Sequence, residues 1–588
     1  MRWILRSTDN SQAQALAEAA GISPVLARLL LHRGIGEADA VARFLKPSLD
    51  HLHSPYLMSG MTAAVERLGV AIANRELVLI YGDYDVDGTT AVVILKTAIE
   101  LCGGSAGFHV PHRIRDGYGM KDDVIERAAA EGVRLIISVD TGIRAFSAAE
   151  AARRVGVDLI VTDHHLPEAS QGVPAALAVL NPNQYGCEYP CKALCGAGVA
   201  FKLAQALLAK NGRERLLPSF LKMVAIATIA DAVPLVGENR VFAKLGLEGL
   251  RRPVNAGLKA LLEVAQLNGT RPLVASDVAF RLAPRLNAAG RMDIAQDVIE
   301  LFSVKEPDRA KEIAARLDRL NAERQEEERR ILEAVEQRLA EAHDIREAFC
   351  IVVDGDQWHR GVIGIAATRV VEKYCRPALV LSRENGEAYG SGRSIPAFHL
   401  LQALESCREM FTRFGGHAHA VGFSLPVERV PSLRASLDAY ARNCLTAADF
   451  EPQLDAEAEL SLDEVTPALY RALQQMEPFG MENPEPIFVA RSAKILVPPR
   501  AIKEKHIKLR LSQPRQGGSG RAFDAMGWRM AERVQAENLL AGDMADIAFT
   551  IDYNDHPDFG GLELRLVDVK RAGAPNSQKQ PAVAGVAQ

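Results

Sequence analysis

The stretch Leu77–Ala91, with the sequence LVLIYGDYDVDGTTA, decides the fold prediction for this chain. Its apolar start predicts a buried β-strand, and the run VVILKTAIELC that follows predicts a helix with Thr89 as its N-cap. Asp83, Asp85 and Asp87 lie between the two elements, two residues apart. Because alternate side chains of an extended segment point to the same face, the three carboxylates would repel each other unless a cation binds among them.

Two other interpretations of this stretch are less favoured. One is a polar surface loop with acidic turn residues. The other is a calcium-binding helix–loop–helix, which also begins D-x-D-x-D-G but needs a Glu at the twelfth loop position and a helix before the first. Here the twelfth position is Ile94, and a β-type run precedes Asp83. A carboxylate cluster at the carboxyl end of a strand suits hard divalent metals in an α/β crevice.

The composition of the 588-residue chain, with 48% hydrophobic and 24% charged residues, is that of a soluble globular protein with three or four domains. A net charge of −5 excludes a uniformly basic coat protein but not a local basic face. The eight cysteines do not suggest a disulfide framework. Cys187, Cys191 and Cys195 are expected to be small buried residues, with a structural metal as the alternative. Without a signal peptide or a stretch of transmembrane length, we expect a cytoplasmic protein with no membrane association.

Metal-type ligands recur in a region that alternates strand and helix, a pattern that predicts a parallel sheet. The strands predicted before SVDTG and TDHH end at Asp140 and at the pair His164–His165, and the apolar helix Leu221–Ala230 ends at Asp231. A single Asp or His after a strand is usually a helix cap. Several in one domain, with an aspartate that an apolar helix cannot bury cheaply without a partner, predict a shared metal site.

These four motifs resemble those of a known superfamily. DYDVDG, SVDTG, TDHH and TIADAVPL, in this order, are similar to the motifs of the DHH phosphoesterases. The stretches CGAGVAFKL, RLAPRLNAAGRM, LDRLNAERQ and GGHAHAVGFS resemble the RecJ single-strand-specific exonucleases within that superfamily. The similarity covers roughly residues 50 to 570. It implies metal-dependent 5′→3′ hydrolysis of single-stranded DNA in DNA repair and recombination.

The resemblance also implies roles for the site residues. The implied metal ligands are Asp85, Asp87, Asp140, His164 and Asp231, and the implied catalytic residues are Asp83 and His165. Tyr81 stands where the pyrophosphatase branch has a histidine ligand. This departure leaves open whether two metals bind tightly or one binds tightly and one arrives with substrate. Carboxylate and imidazole ligands favour Mn²⁺ or Mg²⁺ over zinc.

Clustered arginines are the candidates for phosphate contacts within the first half of the chain. The segment PHRIRDGYGM carries Arg113 and Arg115, which share a face if the segment is extended; a solvated loop is equally compatible with the pattern. Arg281 and Arg285 could bind phosphate or form salt bridges on a helix surface, and the resemblance favours phosphate. We therefore predict Arg113, Arg281 and Arg285 as substrate-binding residues.

The second α/β region, from residue 349, supplies further substrate-binding candidates. Ser391 and Arg393 lie among small residues that could form an anion pocket. His417 and His419 alternate beside a glycine pair, and a second metal site is one interpretation. We prefer a contact with the substrate backbone or a packed histidine, because no carboxylate accompanies them.

The C-terminal region predicts short strands with a strong positive charge. Between Arg491 and Met530 there are ten Lys/Arg and two acidic residues. Lys505 precedes a predicted strand of alternating sequence, HIKLRLSQ, and Lys508 lies within it. Phe523 and Trp528 are expected to be exposed aromatic residues. This pattern fits a single-strand-binding OB barrel, with a solvated barrel surface as the alternative.

The predicted fold class is α/β: a parallel-sheet catalytic domain, a connector helix, a smaller α/β domain and an OB-like β-barrel. The helical N-terminal region is expected to pack on the catalytic domain, and the connector could instead pair with a coiled-coil partner. The predicted segments are 1–76 (N-terminal helical region), 77–305 (DHH catalytic domain), 306–345 (connector helix), 346–450 (DHHA1 domain), 451–572 (OB-like domain) and 573–588 (disordered tail).

The expected partner is single-stranded DNA, with a single-strand-binding protein and a helicase as further partners of a monomer. Two other function classes stay open. A phosphodiesterase of short oligonucleotides or cyclic dinucleotides would need neither the basic barrel nor the long connector. A non-catalytic replication or repair scaffold would not need so much unpaired acidic charge. A nuclease assay with Mn²⁺ on single strands, duplex and a dinucleotide separates the three.

Overall fold

The computed structural model describes residues 1–573 except 169, 293–294, 343–345, 516–517 and 555–559. The predicted tail at 573–588 therefore lies, apart from its first residue, outside the described residues. The chain divides into two compact units, Pro47–Phe450 and the combination of Met1–Lys46 with Glu451–Gln588. Each unit has its own core.

Strands and helices alternate through most of the chain. The first 46 residues form β1 (Arg2–Leu5), α1 (Asn10–Ala20), α2 (Pro24–Leu31) and α3 (Ala38–Leu45). The acidic-motif region forms α4 (Met61–Ala73), β2 (Leu77–Gly82), α5 (Val86–Leu101), β3 (Ala106–His109), α6 (Asp122–Ala130), β4 (Val133–Val139), α7 (Phe146–Val155), β5 (Asp158–Thr162), β6 (Ala178–Leu180) and α8 (Gly196–Lys210). It continues with α9 (Leu221–Ala230), α10 (Gly237–Leu250), α11 (Ala256–Val264), α12 (Ala275–Asp277), a π-helical turn (Val278–Leu282), α13 (Ala283–Met292) and α14 (Gln296–Ser303).

The second half begins with one long helix. The elements as far as residue 450 are α15 (Pro307–Glu341), β7 (Ile351–Asp356), α16 (Ile363–Tyr374), β8 (Ala378–Glu384), β9 (Glu387–Arg393), α17 (Leu400–Glu405), β10 (Arg413–Gly416), β11 (Ala420–Pro426) and α18 (Val430–Cys444). The C-terminal elements are β12 (Gln453–Ala456), β13 (Ala458–Glu459), α19 (Pro467–Gln474), β14 (Phe488–Ile495), β15 (Arg500–Ile502), β16 (His506–Arg515), β17 (Gly518–Gly527), α20 (Ala531–Ala536), β18 (Met544–Asn554) and β19 (Gly561–Arg571).

The first five-stranded sheet is parallel throughout, in the order β3-β2-β4-β5-β6. Its central strands are buried on both faces, which explains their nearly continuous apolar sequence. Ile80 and Ile137 face the core formed with α4, α5 and α8. Tyr81 and Ile136 face the core formed with α6 and α7. The loops after the carboxyl ends of β2, β4 and β5 therefore lie at one edge of the sheet.

The connector helix is embedded in two cores. Helix α15 is 35 residues long. Its first half contributes Ile313 and Leu317 to the core that contains β2, α4, α5 and α8, and its second half contributes Ile331 and Val335 to a core with β7, β8 and α16. The smaller sheet has the order β10-β11-β9-β8-β7, with only β7 and β8 parallel. The predicted α/β fold class is confirmed.

The C-terminal strands close into a barrel. The seven-stranded order is β13-β14-β18-β19-β17-β16-β15, and a pairing of β14 with β16 closes the ring. This agrees with the predicted OB-like fold. Phe523 was expected to be exposed, and that prediction is wrong, because its side chain is 2% exposed in the barrel core. Trp528 is 58% exposed, as expected.

The N-terminal segment corrects the domain prediction. Residues 1–46 do not belong to the unit Pro47–Phe450: β1 pairs in parallel with β12, and Leu26, Leu29 and Leu30 of α2 pack in the barrel core. An amphipathic stripe shows that a helix face is buried but not what covers it, and this is why the sequence misassigned the segment. No single helix among the described residues is long and apolar enough to cross a membrane. The bent pair α1–α2 meets that requirement only when its two helices are taken together, and only by length and composition.

Candidate metal centre and arginine-lined cavity

The first acidic motif has a different local structure from the predicted one. Helix α5 begins at Val86, and its N-cap is Asp85, whose Oδ1 accepts a hydrogen bond from the Gly88 amide at 3.0 Å. Thr89 is not the cap; its hydroxyl donates to the Asp85 carbonyl at 2.6 Å. The three aspartates therefore span a strand end, a cap and a first helical turn. The alternating arrangement expected of an extended segment is wrong, although the carboxylates still converge.

Asp87 is held by hydrogen bonds from the N-terminus of a second helix, α8. Its two oxygens accept hydrogen bonds from the amides of Gly196 and Ala197, at 2.5 and 2.8 Å, in the first turn of α8. Free amides and the positive end of the helix dipole favour a carboxylate there. Gly196 must be glycine, since a Cβ at this position would lie 2.5 Å from the Cβ of Asp140. The stretch CGAGV therefore belongs to this site, although it lies far from Asp87 in the sequence.

All seven predicted metal and catalytic residues converge on one site. Candidate ligand atoms lie within 4.8 Å of one another in three overlapping groups, which are Asp140 with His164 and His165, Asp87 with His164 and Asp231, and Asp83 with Asp85 and Asp140. His164 is central, with Nε2 lying 3.2 Å from Asp140 and 3.8 Å from both Asp87 and Asp231. The side chains of this cluster thus come from strand ends, from the N-terminus of α5 and from the end of α9. The N-terminus of α8 holds one of them, Asp87, in place.

The electrostatics of the cluster fit a divalent cation. Burial and the charges of neighbouring aspartates raise the pKa of Asp83 and Asp140 far above the ordinary value, and raise the pKa of Asp231 to about 9. Burial lowers the pKa of His164, which favours the neutral, ligating imidazole. Asp83 Oδ1 and Asp140 Oδ1 are buried and accept no hydrogen bond from any described residue. Unpaired buried oxygens among carboxylates and imidazole match the ligand preferences of Mn²⁺ and Mg²⁺.

His165 is oriented by the first acidic residue of its own motif. Its Nδ1 lies 2.7 Å from Asp163 Oδ1, and Asp163 also accepts hydrogen bonds from the amides of Ile143, His164 and His165. Burial would lower the pKa of His165, but the hydrogen bond and charge of Asp163 raise it overall. The hydroxyl of Tyr118 lies 3.4 Å from the same Nδ1. Asp163 thus leaves Nε2 as the nitrogen available to a substrate.

An arginine-lined cavity adjoins the carboxylates. It has a volume of about 380 Å³, and its lining includes Arg113, Arg360, Ser391 and Arg413. The Arg113 guanidinium lies 4.9 Å from the ring of Tyr84, which stands between Asp83 and Asp85. Concentrated positive charge beside a metal centre suits a phosphate group.

Arg393 is not part of the lining of this cavity but contacts Ser391, which is. It donates hydrogen bonds to Ser391 Oγ at 3.1 Å and to the Gly392 carbonyl at 2.8 Å. No ion pair joins it to a carboxylate of the described residues. Burial and the nearby charge of Arg113 lower the pKa of Arg393. Arg113 and the predicted pair Ser391–Arg393 come from distant parts of the sequence and are thus brought together.

Two residues that were not among the predicted site residues belong to this region. Asn287 Oδ1 accepts a hydrogen bond from the Val86 amide at 3.1 Å, and Arg291 donates to the Gly361 carbonyl at 3.0 Å. Burial lowers the pKa of Arg291 to about 10. Helix α13 can approach because residue 290 is glycine; a Cβ there would lie 2.2 Å from the Tyr84 carbonyl oxygen. The run NAAGR was the available signal, since small residues flank both polar ones.

Three predicted substrate residues have other surroundings. Arg281 donates hydrogen bonds to the carbonyls of Ala265 and Gln266, at 2.5 and 3.0 Å. Arg285 contacts Asp318 of the connector helix at 2.8 Å. Both guanidinium groups are thus engaged in holding helices together, which was the salt-bridge alternative. His417 is exposed, so it is not a packed histidine, and no metal-binding group of the described residues contains it or His419.

The barrel presents its own basic surface. Lys508 lies 2.9 Å and Arg510 lies 3.3 Å from Asp524, so one carboxylate offsets both cations. Lys503 and Lys505 are exposed, and neither forms an ion pair with any described residue. Trp528 is on the same unit, with its ring packed edge-on against His506 at 4.9 Å between centroids. The predicted Lys505 and Lys508 therefore differ in how much free charge they offer.

Comparisons with known proteins match most of the chain. Residues 77–228 match the DHH family N-terminal domain, residues 347–443 the DHHA1 domain and residues 456–568 the RecJ OB domain. The single-stranded-DNA-specific exonuclease RecJ of Bacillus subtilis is 37% identical over 562 residues, covering 94% of this chain and 69% of that protein. The protein of the same description from Dickeya dadantii is 37% identical over 556 residues, covering 90% and 93%.

Solved structures agree with the sequence relatives. RecJ from Thermus thermophilus in complex with Mn²⁺ superposes with a TM-score of 0.82 at 28% identity, covering 97% of this chain and 80% of that one. Its complex with Mg²⁺ gives a TM-score of 0.77 at 27% identity, covering 97% and 79%. Two relatives at 37% identity, each matched over at least 90% of this chain, and three matching domains lead to one conclusion: this chain belongs to the RecJ family.

Proposed function

We infer that this chain is a metal-dependent exonuclease that hydrolyses the phosphodiester bonds of single-stranded DNA. The observation that carries the inference is the convergence of five aspartates and two histidines beside an arginine-lined cavity of about 380 Å³. Membership of the RecJ family supports the substrate class. A single dinucleotide substrate would not account for a barrel with exposed lysines and an exposed tryptophan.

The aspartates and His164 would hold one or two Mn²⁺ or Mg²⁺ ions. When bound, such ions supply charge stabilisation at the phosphoryl oxygens and a water of lowered pKa. The backbone amides of Gly196 and Ala197 hold Asp87 in place for ligation. His165, oriented by Asp163 with a raised pKa, would donate a proton to the leaving oxygen or polarise the scissile phosphate.

An end-binding cavity would set the direction of cleavage. Arg113, Ser391 and Arg393 would hold a terminal 5′-phosphate, since arginine binds phosphate oxygens in pairs. Support comes from the charge balance: no carboxylate of the described residues offsets Arg393, and a bound dianion would. Degradation from 5′ to 3′ is the expected result. A monomer working with a single-strand-binding protein and a helicase in the cytoplasm completes the proposal, and eight free cysteines suit a reducing compartment.

The experiment compares single-stranded, duplex and dinucleotide substrates, with label at the 5′ or the 3′ end, in the presence of Mn²⁺. We expect early release of the 5′ label from single strands only. Asp140→Asn should lower the rate at least 100-fold, because even the loss of a group that only orients a metal ligand costs about 10–100-fold. Asparagine tolerates the positive φ of 58° at this position, so the fold should persist.

The matched control is Asp308→Asn at the exposed start of α15, which makes the same chemical change away from the site. Its rate should equal that of the wild type. Undiminished cleavage by Asp140→Asn would refute the metal-site assignment. Early release of the 3′ label would refute the proposed direction.

A further inference from the structure

A second cavity, separate from the end-binding cavity, adjoins the carboxylate cluster. Its volume is about 390 Å³, which lies within the usual range for ligand sites. Ala230, which precedes Asp231, lines it, and so does Asn287, which holds the Val86 amide next to Asp85. The cavity therefore opens beside two of the turns that carry metal ligands.

Phe280 stands at the rim of this cavity with 77% of its surface exposed. It lies in the π-helical turn Val278–Leu282, in which the Ala283 amide donates to the Val278 carbonyl. Val278 and Leu282, at the two ends of the turn, are both 0% exposed. The segment is therefore firmly packed, and the extra residue of the π-turn turns one aromatic ring outwards. Single π-turns within α-helices occur frequently at functional sites.

This cavity is also lined by three arginines and one glutamate. Arg291 and Arg324 line it. Arg324 is paired with Glu328 at 2.5 Å, whereas Arg291 donates only to a backbone carbonyl among the described residues. The Gly361 carbonyl that accepts from Arg291 belongs to a residue that lines the end-binding cavity, and Arg291 itself lines the cavity at Phe280. Arg291 therefore lies between the two cavities.

We propose that Phe280 stacks on the base of the nucleotide that follows the scissile phosphate. The terminal nucleotide then occupies the cavity of Arg113 and Ser391, Arg291 contacts the phosphate between the two, and the next base lies in the second cavity against the Phe280 ring. This inference rests on the proposed function and deepens it. A stacked base must leave its duplex partner, so the ring selects single strands at the point of cleavage.

The experiment measures single-turnover release of the first nucleotide from a 5′-phosphorylated strand with Mn²⁺ bound to the full chain. Phe280→Ala should lower kcat/KM by roughly 5- to 150-fold, the range of base–aromatic stacking. Phe280→Trp should restore it. One abasic site, moved along the first four nucleotides, locates the base: at the second nucleotide it should slow the wild type and leave Phe280→Ala unchanged.

The matched control is Tyr56→Ala, which removes an aromatic ring that is 50% exposed in the same unit but lines a different cavity. Its rate and its response to abasic sites should equal those of the wild type. Equal rates for wild type and Phe280→Ala would overturn the proposal. An equal loss on intact and abasic strands would also overturn it, because the ring would then act on something other than the base. If the wild type itself released no nucleotide, the proposed function would fail instead.

Discussion

Asp140 shows at the scale of one residue how this site is constrained. It adopts a left-handed backbone with φ = 58°, although it is not glycine. Its amide donates to the Thr162 carbonyl at 3.0 Å, and Gly196 presses against its side chain. Such conformations cost about 1–3 kcal/mol and persist only where the surroundings impose them. The strain at Asp140 aims one carboxylate at His164 rather than stabilising the fold.

Gly196→Ala should weaken metal binding without unfolding the protein. The new Cβ would lie 2.5 Å from the Cβ of Asp140, so that Asp140 and the amides that hold Asp87 must shift apart. A loss of Mn²⁺ affinity of roughly 10- to 100-fold is expected, comparable to the loss of a group that orients a metal ligand. Isothermal titration with Mn²⁺ measures the affinity directly.

Gly198→Ala is the matched control for this change. It lies two residues further along α8, where a Cβ would meet the Leu194 side chain at 3.4 Å, an ordinary contact. Alanine favours a helix interior by up to about 1 kcal/mol over glycine, so the control should be at least as stable as the wild type. Equal Mn²⁺ affinity in the two variants would show that Gly196 does not position the ligands.

The residues of the site were largely predictable from sequence, and their local geometry was not. Asp140 and His164 follow strands whose carboxyl ends meet at one sheet edge, so their convergence follows from topology. Asp231 ends the apolar helix α9, where a carboxylate is costly to bury without a partner. Asp85 as a helix cap was hidden, because an alternating D-x-D-x-D pattern is equally compatible with an extended turn. Arg281 and Arg285 show a second limit of sequence analysis. The sequence does not distinguish an arginine that holds helices together from one that binds phosphate.

At the scale of elements, helix α8 joins packing to chemistry. Its N-terminus holds Asp87, and further along the same helix Lys202 forms a buried ion pair with Glu238 of α10 at 2.9 Å, with both side chains 0% exposed. Tyr189 donates to the same carboxylate at 2.5 Å. Because breaking a buried pair leaves an uncompensated charge, α8 has little freedom to move relative to α10. The amides at its N-terminus are fixed accordingly.

On the barrel, Asp524 restrains two of the cations on β16. Asp524→Asn should release Lys508 and Arg510 and so strengthen binding to long single strands. Each additional phosphate neutralised should make the slope of log K against log salt more negative by about 0.7. Fluorescence anisotropy over a series of salt concentrations measures both quantities.

Asp455→Asn is the control, because it makes the same change in net charge at an exposed carboxylate of the same unit, 3.9 Å from Arg6. Its affinity and salt slope should remain close to those of the wild type. If both variants strengthened binding equally, net charge rather than the strand β16 would be responsible. If neither did, this face of the barrel would not contact the strand.

At the scale of the whole molecule, the two ends of the chain build one unit. Strand β1 runs parallel to β12, and Glu457 accepts from His32 at 2.7 Å and lies 3.2 Å from Arg33, with all three side chains at most 7% exposed. The apolar stripe of α2 predicted burial correctly. The barrel residues that cover this stripe lie more than 400 residues away in the sequence. A local sequence pattern cannot show which distant segment covers a helix face.

The metal centre also determines how stability responds to pH. Without metal, burial beside other aspartates raises the pKa of Asp231 to about 9, and the pKa of Asp83 and Asp140 is raised in the same direction. An unfolded aspartate has a pKa of about 3.9. The folded state therefore binds more protons than the unfolded state between these values, and stability falls as pH rises through this interval. In EDTA, the Tm of the unit 47–450 should decrease from about pH 5 to about pH 9.

Bound Mn²⁺ should oppose this decrease in Tm. Ligation requires deprotonated carboxylates, so metal affinity grows with pH, and stabilisation by a ligand of the folded state grows with affinity. The difference in Tm between Mn²⁺ and EDTA samples should therefore widen steadily from pH 5 to pH 9, and other titrating groups largely cancel in that difference. Asp231→Asn should flatten the decline in EDTA and reduce the gain from Mn²⁺, whereas Asp308→Asn should change neither. A Tm difference that stayed constant with pH would mean that the carboxylates are already ionised in the metal-free protein, and that the proton-linked part of this account is wrong.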